Sequence, residues 1–179
     1  ARKEDLYQLG YTQYQLGKND DAIKNFVELN SLTDSIGQNA MYHLADAYLK
    51  TNDKAKANAA FEAAARIDYD KTIQEISLLN SAKLSYELGL NSAAISKLQS
   101  YITKYPTSPR INEARGVLGS IFETSRNYKD AIELLENIPN KDAQLQRTYQ
   151  RVTFYRGLEM YQDRRNTDAL ALLNKSLQN

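Results

Sequence analysis

The chain holds one histidine, His43, and no cysteine, and these two facts bound its chemistry. A zinc centre takes about four ligands at compatible spacing, whereas His43 is flanked by Met41, Tyr42 and Leu44, which supply no ligand set. An acyl-transfer triad needs a base bonded to a nucleophile and oriented by an acid; the residues around His43 offer neither partner. Without a thiol, disulfides, thiolate catalysis and cysteine-ligated zinc are excluded. We expect no metal centre, no cofactor and no catalytic residue, with His43 either structural or facing a binding surface. The paired carboxylates Asp20 and Asp21 stand at a helix start, where negative charge meets the helix dipole, so capping is their expected role.

Recognition is better supplied. Tyr7, Tyr11 and Tyr14 stand at i, i+4 and i+7, which on a helix forms one stripe. Tyrosines suit a peptide-binding surface because they add contact area at low entropic cost. Arg147, Arg151, Arg156, Arg164 and Arg165 lie in a stretch, 141–179, with seven Lys/Arg against four Asp/Glu, a net of +3; residues 1–36 have four against six, a net of −2. A chain of net charge +1 and pI near 8.0 is far less basic than most nucleic-acid binders, so these arginines are expected on solvated helix faces and nucleic acid is not an expected partner.

The elements that must carry these side chains announce themselves by a repeat. An alanine is followed four residues on by a bulky apolar residue at Ala22/Phe26, Ala57/Phe61, Ala94/Leu98, Ala131/Leu135 and Ala169/Leu173, and successive alanines are 35, 37, 37 and 38 residues apart. Such a period marks a helical solenoid, in which each unit buries its apolar face only by stacking on its neighbours. A composition of 42% hydrophobic and 25% charged residues is that of an ordered protein. No apolar run approaches the ~18 residues of a membrane helix. The opening Ala1-Arg2-Lys3-Glu4-Asp5 is too polar for a secretory signal, and with no initiating Met the chain reads as part of a longer protein or one stripped of its leader.

Each repeat reads as two helices, A and B, and the apolar spacing predicts ten helices of roughly 11 to 15 residues. In the first repeat A covers about Glu4–Leu16, burying Leu6, Leu9, Gly10 and Gln13 or Tyr14, and B covers about Asp20–Ser31, burying Ala22, Ile23, Phe26 and Leu29. The fifth repeat should bury Gly157, Met160 and Tyr161 with Ala169, Leu173 and Leu177. Gly10, Ala45, Ala82, Gly119 and Gly157 share one place, expected at close A/B crossings. Gly17 and Gly89 fall where A ends and a left-handed residue turns the chain. Pro106, Pro109 and Pro139 fall between helices.

The blocks Leu9-Gly10, Gly17, Ala22 and Phe26, with Leu118-Gly119, Phe122, Tyr128, Ala131 and Tyr105-Pro106, resemble the tetratricopeptide repeat, a helix–turn–helix family of about 34 residues per unit. No Trp opens any helix A and Tyr69 stands where proline is usual. Lys104-Tyr105-Pro106-Thr107-Ser108-Pro109 makes the third and fourth repeats similar to bacterial envelope proteins such as the barrel-assembly lipoprotein and the Tol-system coordinator; periplasm or envelope is implied, with cytoplasm the alternative. The resemblance implies an all-α fold, a right-handed α-α superhelix of five helix pairs, forming a single solenoid over 1–179 with repeats at about 3–36, 38–72, 75–109, 112–145 and 150–179. It implies a groove lined by A-helix residues that do not face helix B. Mapped here, these include Tyr7, Tyr11, Tyr14, Tyr42, Asp46, Leu79, Lys83, Tyr86, Glu123, Phe154 and Tyr161. The Lys/Asn clamp with which co-chaperone members hold acidic C-termini is missing, since its places carry Tyr7, Tyr11, His43, Ile76 and Asn80.

The implied function is a non-enzymatic scaffold that binds a protein partner, as an extended peptide or a helix, in the groove. The alternative is a self-associating segment of a larger envelope protein, a homo-oligomer through solenoid ends at which Leu170, Leu173 and Leu177 lack a following helix to cover them.

Overall fold

A computed structural model describes residues 2–178. Among them run ten α-helices: α1 Lys3–Gln15, α2 Asn19–Val27, α3 Ser35–Lys50, α4 Lys54–Arg66, α5 Lys71–Glu87, α6 Asn91–Lys104, α7 Ile111–Ser125, α8 Tyr128–Glu136, α9 Ala143–Gln162 and α10 Asn166–Leu177. They fall into two compact units, residues 1–107 and 108–179. In the first, each helix packs on the next, while α1, α3 and α5 also lie side by side. In the second, α10 packs on α9, and α8 leans on α9 much more than on α7.

Local chemistry sets the helix starts. The Asp34 carboxylate accepts from Gly37 N–H at 3.0 Å, Asp53 from Lys56 N–H at 3.1 Å, Asp70 from Thr72 and Ile73 N–H, and Asp142 from Leu145 N–H at 2.8 Å. Each satisfies donors that have no partner within the helix, worth about 1 kcal/mol. Asp20 and Asp21 do otherwise: Lys18 holds the N-cap position of α2 without a side-chain bond, both carboxylates sit in the first turn near the helix dipole, and Asp21 also pairs with Lys24. All three prolines lie outside helices.

Every A-to-B turn passes through a left-handed residue, at Gly17 (φ 74°), Asn52 (62°), Gly89 (74°), Arg126 (54°) and Arg164 (60°). The two glycines are those expected. A side chain in this conformation costs about 1–2 kcal/mol, least for Asn, so the two arginines are the costly members of the set.

Gly10, Ala45, Ala82, Gly119 and Gly157 are all buried. A Cβ on Gly10 would lie 3.0 Å from Phe26 of α2, and one on Gly157 2.9 Å from Leu173 of α10, so both are A/B crossings. Gly119 is a correction: its added Cβ would meet Thr148 Oγ1 of α9 at 3.0 Å, not α8. The expected lengths of 11 to 15 residues are missed at both ends, with 9 residues in α2 and in α8, 17 in α5 and 20 in α9, and α9 lies against α7 as well as α8.

The cores consist of the expected alanines and large residues, with Ala22, Phe26, Ala57, Ala64, Ala94, Leu98, Leu118 and Leu135 at zero exposure. Leu9, expected inside, is 50% exposed. Gly10 takes the face of α1 toward α2, and its neighbour in sequence points about 100° away. Leu79, mapped to the groove, is 2% exposed and belongs to the core; Tyr161 and Leu177, expected inside, are 64% and 82% exposed. Polar residues share the interior. Gln38, fully buried, donates from Nε2 to the carbonyls of Ile67 (2.7 Å) and Asp70 (3.0 Å), and its Oε1 accepts from Asp70 N–H (2.7 Å), tying α3 to the α4–α5 link.

Candidate partner-binding surfaces

In the first unit the side-by-side packing of α1, α3 and α5 gathers most of the candidate residues. Tyr7, Tyr11 and Tyr14 are half-buried, and the Tyr7 and Tyr11 rings stack with centroids 6.0 Å apart. Their shared centre is His43, which sequence reasoning left without a role. Its ring centroid lies 4.9 Å from that of Tyr11, 5.3 Å from Tyr14, 5.5 Å from Tyr42, 6.1 Å from Phe26 and 6.4 Å from Tyr7. The Nδ1 atom is buried without a hydrogen-bond partner. Burial pushes the imidazole pKa down, Asp46 opposes this, and Lys50 adds to it.

Asp46 links this cluster to its neighbour. The Tyr14 hydroxyl donates to the Asp46 carboxylate, Lys50 pairs with Asp46 at 3.2 Å, and the Lys50 ammonium lies 3.8 Å from the Tyr14 ring centroid. Burial first, then the bond to Asp46, holds the Tyr14 hydroxyl pKa above its usual value, with Lys50 opposing. Asp46 also lines, with Tyr42, Leu49, Asn80, Lys83 and Glu87, a cavity of about 210 Å³ between α3 and α5, against Phe61. Of the candidates in this unit, Tyr42, Asp46 and Lys83 thus converge on one cavity, Tyr14 adjoins it through Asp46 with Tyr11 and Tyr7 following along the ring stack, and Tyr86 is half-buried outside its lining.

In the second unit Glu123 accepts from Arg151 at 3.0 Å and from Thr148 at 3.3 Å, at the edge of a cavity of about 580 Å³. Phe154 is 43% exposed and meets Tyr155 edge-on, and Tyr161 is exposed at the far end of α9. The stack of Tyr128 on Tyr155 was missed; the pairing of helix B with a later helix A puts these residues together across a sequence gap that no period reveals.

One group has the outline of catalytic chemistry. Lys97 Nζ donates to Ser81 Oγ at 2.7 Å and to Ser85 Oγ at 3.0 Å, a hydroxyl–amine pairing of the kind that activates nucleophiles. Both serines have zero exposure, Ser81 donates onward to Asn58 Oδ1 at 2.8 Å, and Lys97 also bonds the Glu62 carboxylate at 3.1 Å. Hydroxyls sealed from solvent meet no substrate, so the network ties α4, α5 and α6 together. Among the described residues no three His, Cys, Asp or Glu side chains gather as a metal site, and no helix is long and apolar enough to cross a membrane.

Helix pairs joined by left-handed turns, with small residues at their crossings, define a repeat architecture. A family profile described as Tetratricopeptide repeat matches residues 7–70, and another of the same description matches 77–108. The chain belongs to the tetratricopeptide repeat family, and is a repeat scaffold of the protein-interaction kind. Solved structures agree on the fold. MamA is 17% identical with a TM-score of 0.53, the match covering 94% of this chain and 92% of that one. The nearly identical TPR-like repeats named for a kinesin light chain of Podosopora anserina are 15% identical with a TM-score of 0.52, covering 98% and 92%. No curated protein sequence matches the chain.

Proposed function

We propose that the chain is a non-enzymatic scaffold whose first unit binds an extended peptide or a helix across α1, α3 and α5. The observation that carries this reading is the continuity of the tyrosine stripe with the α3–α5 cavity through Asp46. Half-buried rings give contact area already ordered in the free protein, and Asn80, beside Lys83 and the paired Asp46 in the cavity wall, gives a polar group at which a peptide backbone or side chain can bond. Peptides selected by display on the immobilised chain should bind Tyr11→Ala and Tyr42→Ala more weakly by about 1–2 kcal/mol each, with little loss of fold. Selected peptides that bind both variants like the wild type would overturn it.

Exposed leucines favour self-association as a second reading: Leu170 is 61% and Leu177 82% exposed on α10. Leu173 is half-buried against Gly157 and is not available for such a contact. On this reading Leu170→Ser with Leu177→Ser lowers the mass measured by light scattering, while Tyr11→Ala leaves it unchanged.

A further inference from the structure

The cavity of about 580 Å³ lies wholly in the second unit, where α7 and α8 barely touch and α8 leans on α9. Three features of its lining point to a guest. Val152, buried in α9, gives an apolar contribution, and Tyr128 and Tyr155 stack beside it with centroids 5.5 Å apart and planes at 21°. Tyr155 remains 43% exposed, which leaves ring surface for a further aromatic group. The lining carboxylates are already paired, Glu123 with Arg151 at 3.0 Å and Glu159 with Arg156 at 2.8 Å. Arg126 is not: among the described residues it has no hydrogen bond or ion pair from its side chain.

The position of Arg126 sharpens the point. It is the left-handed residue of the α7–α8 turn, a place filled by Gly17, Asn52 and Gly89 in the first unit. The turn needs no side chain there and is strained by having one. Arg164 of the α9–α10 turn carries the same strain, so what sets Arg126 apart is its place in the cavity lining, where its unpaired guanidinium can meet a group from outside. One fork-shaped cation suits one carboxylate, held by two parallel bonds. A cavity of this size has room for an aromatic side chain together with an acidic one.

We propose that this cavity is a second binding site, which takes a peptide segment presenting an aromatic side chain next to an acidic one: the ring lies against Tyr155 and the carboxylate meets Arg126. Every residue of its lining belongs to the second unit, and the proposal does not rest on the binding proposed for the first.

The test uses the full chain, isotope-labelled for NMR, and a blocked tetrapeptide, glycine–phenylalanine–aspartate–glycine with acetyl and amide ends, so that its one charge is the aspartate side chain. Titration at millimolar peptide should move the amide signals of Arg126, Val152 and Tyr155. The same peptide with asparagine for aspartate, or leucine for phenylalanine, should bind about tenfold more weakly. Arg126→Gly should weaken binding of the aspartate peptide by about tenfold while leaving the melting temperature equal or higher, because glycine relieves the left-handed turn. Tyr155→Leu should weaken it while Arg126 stays in place. No shift in the wild type, equal binding of the asparagine peptide, or a melting temperature lowered by Arg126→Gly would overturn the proposal, the last because it would show that the guanidinium serves the fold.

Discussion

Gly37 offers a test in which two physical effects have opposite signs and the structure says which wins. It lies in the first turn of α3, and on helix propensity alone Gly37→Ala should stabilise the chain by about 1 kcal/mol. The packing says otherwise. A Cβ there would stand 2.1 Å from the carbonyl oxygen of Leu32 and 2.6 Å from its carbon, backbone atoms that no rotamer change removes. Leu32 must retreat by roughly 1 Å to bring the 2.1 Å approach out to an ordinary contact, which is overpacking. The chain between holds Asp34, which caps α3 through Gly37 N–H at 3.0 Å and pairs with Lys3 at 2.6 Å. The Lys3 pair is exposed and counts for little. The cap counts for about 1 kcal/mol and overpacking for about 1–3 kcal/mol. Against the propensity gain, the expected net is a loss of about 2 kcal/mol, or roughly 8 °C in the melting temperature of a unit of this size followed by far-UV circular dichroism. Combined with Asp34→Ala the losses should be less than additive, because the first change has already displaced the cap. A Gly37→Ala protein that melts at or above the wild-type temperature would refute the reasoning.

Gly119→Leu should destabilise the second unit by about 1–3 kcal/mol, with NMR shifts concentrated at Thr148 rather than on α8. At the left-handed turns, Arg164→Gly should raise stability by about 0.5–1 kcal/mol and Gly89→Ala lower it by about 1 kcal/mol in urea titrations. His43 has its folded pKa below the ordinary 6.5, so the unfolded chain binds more protons in mild acid. Its contribution is complete above pH 6.5 and is lost as pH falls toward the folded value. Stability measured across that window should slope downward with acid in the wild type and flatten in His43→Phe.

The alanine-and-bulky-residue period was legible because helix B packs the same way in each pair, so Ala22/Phe26 and Ala94/Leu98 face the same kind of neighbour. Gly17 and Gly89 were legible because a positive φ leaves a mark in sequence. Arg126 and Arg164 left none, since their side chains do not reveal the backbone beneath them. Leu9 and Leu79 were misplaced because adjacent faces of an A helix touch different neighbours, and a mapping from repeat positions can slip by one face. The polar interior was hidden for another reason: Gln38, Ser81 and Ser85 read as surface residues until partners distant in sequence satisfy them. The tyrosines were found as a stripe, yet their convergence on His43 depends on how α1 meets α3, which spacing within one helix does not contain.

Why the imidazole should stay neutral follows from comparing magnitudes. Its unsatisfied Nδ1 costs about 1–3 kcal/mol in the neutral form, and the surrounding rings at 4.9 to 6.4 Å offset this at about 0.5–1.5 kcal/mol per well-placed pair. Protonation would recruit cation–π attraction to the same rings, about 0.5–2 kcal/mol each where the geometry is good. It would also place a second donor, now on a charged group, where no acceptor stands, and it would bring a positive charge into the field of Lys50. Asp46 returns part of that, but its carboxylate is already engaged by Tyr14 and Lys50. Desolvation of the cation is therefore the larger effect, and the neutral ring is the form that the cluster holds. An NMR titration of the imidazole with a midpoint above 6.5 would mean that the rings stabilise the cation more than burial penalises it, and the acid slope would then reverse.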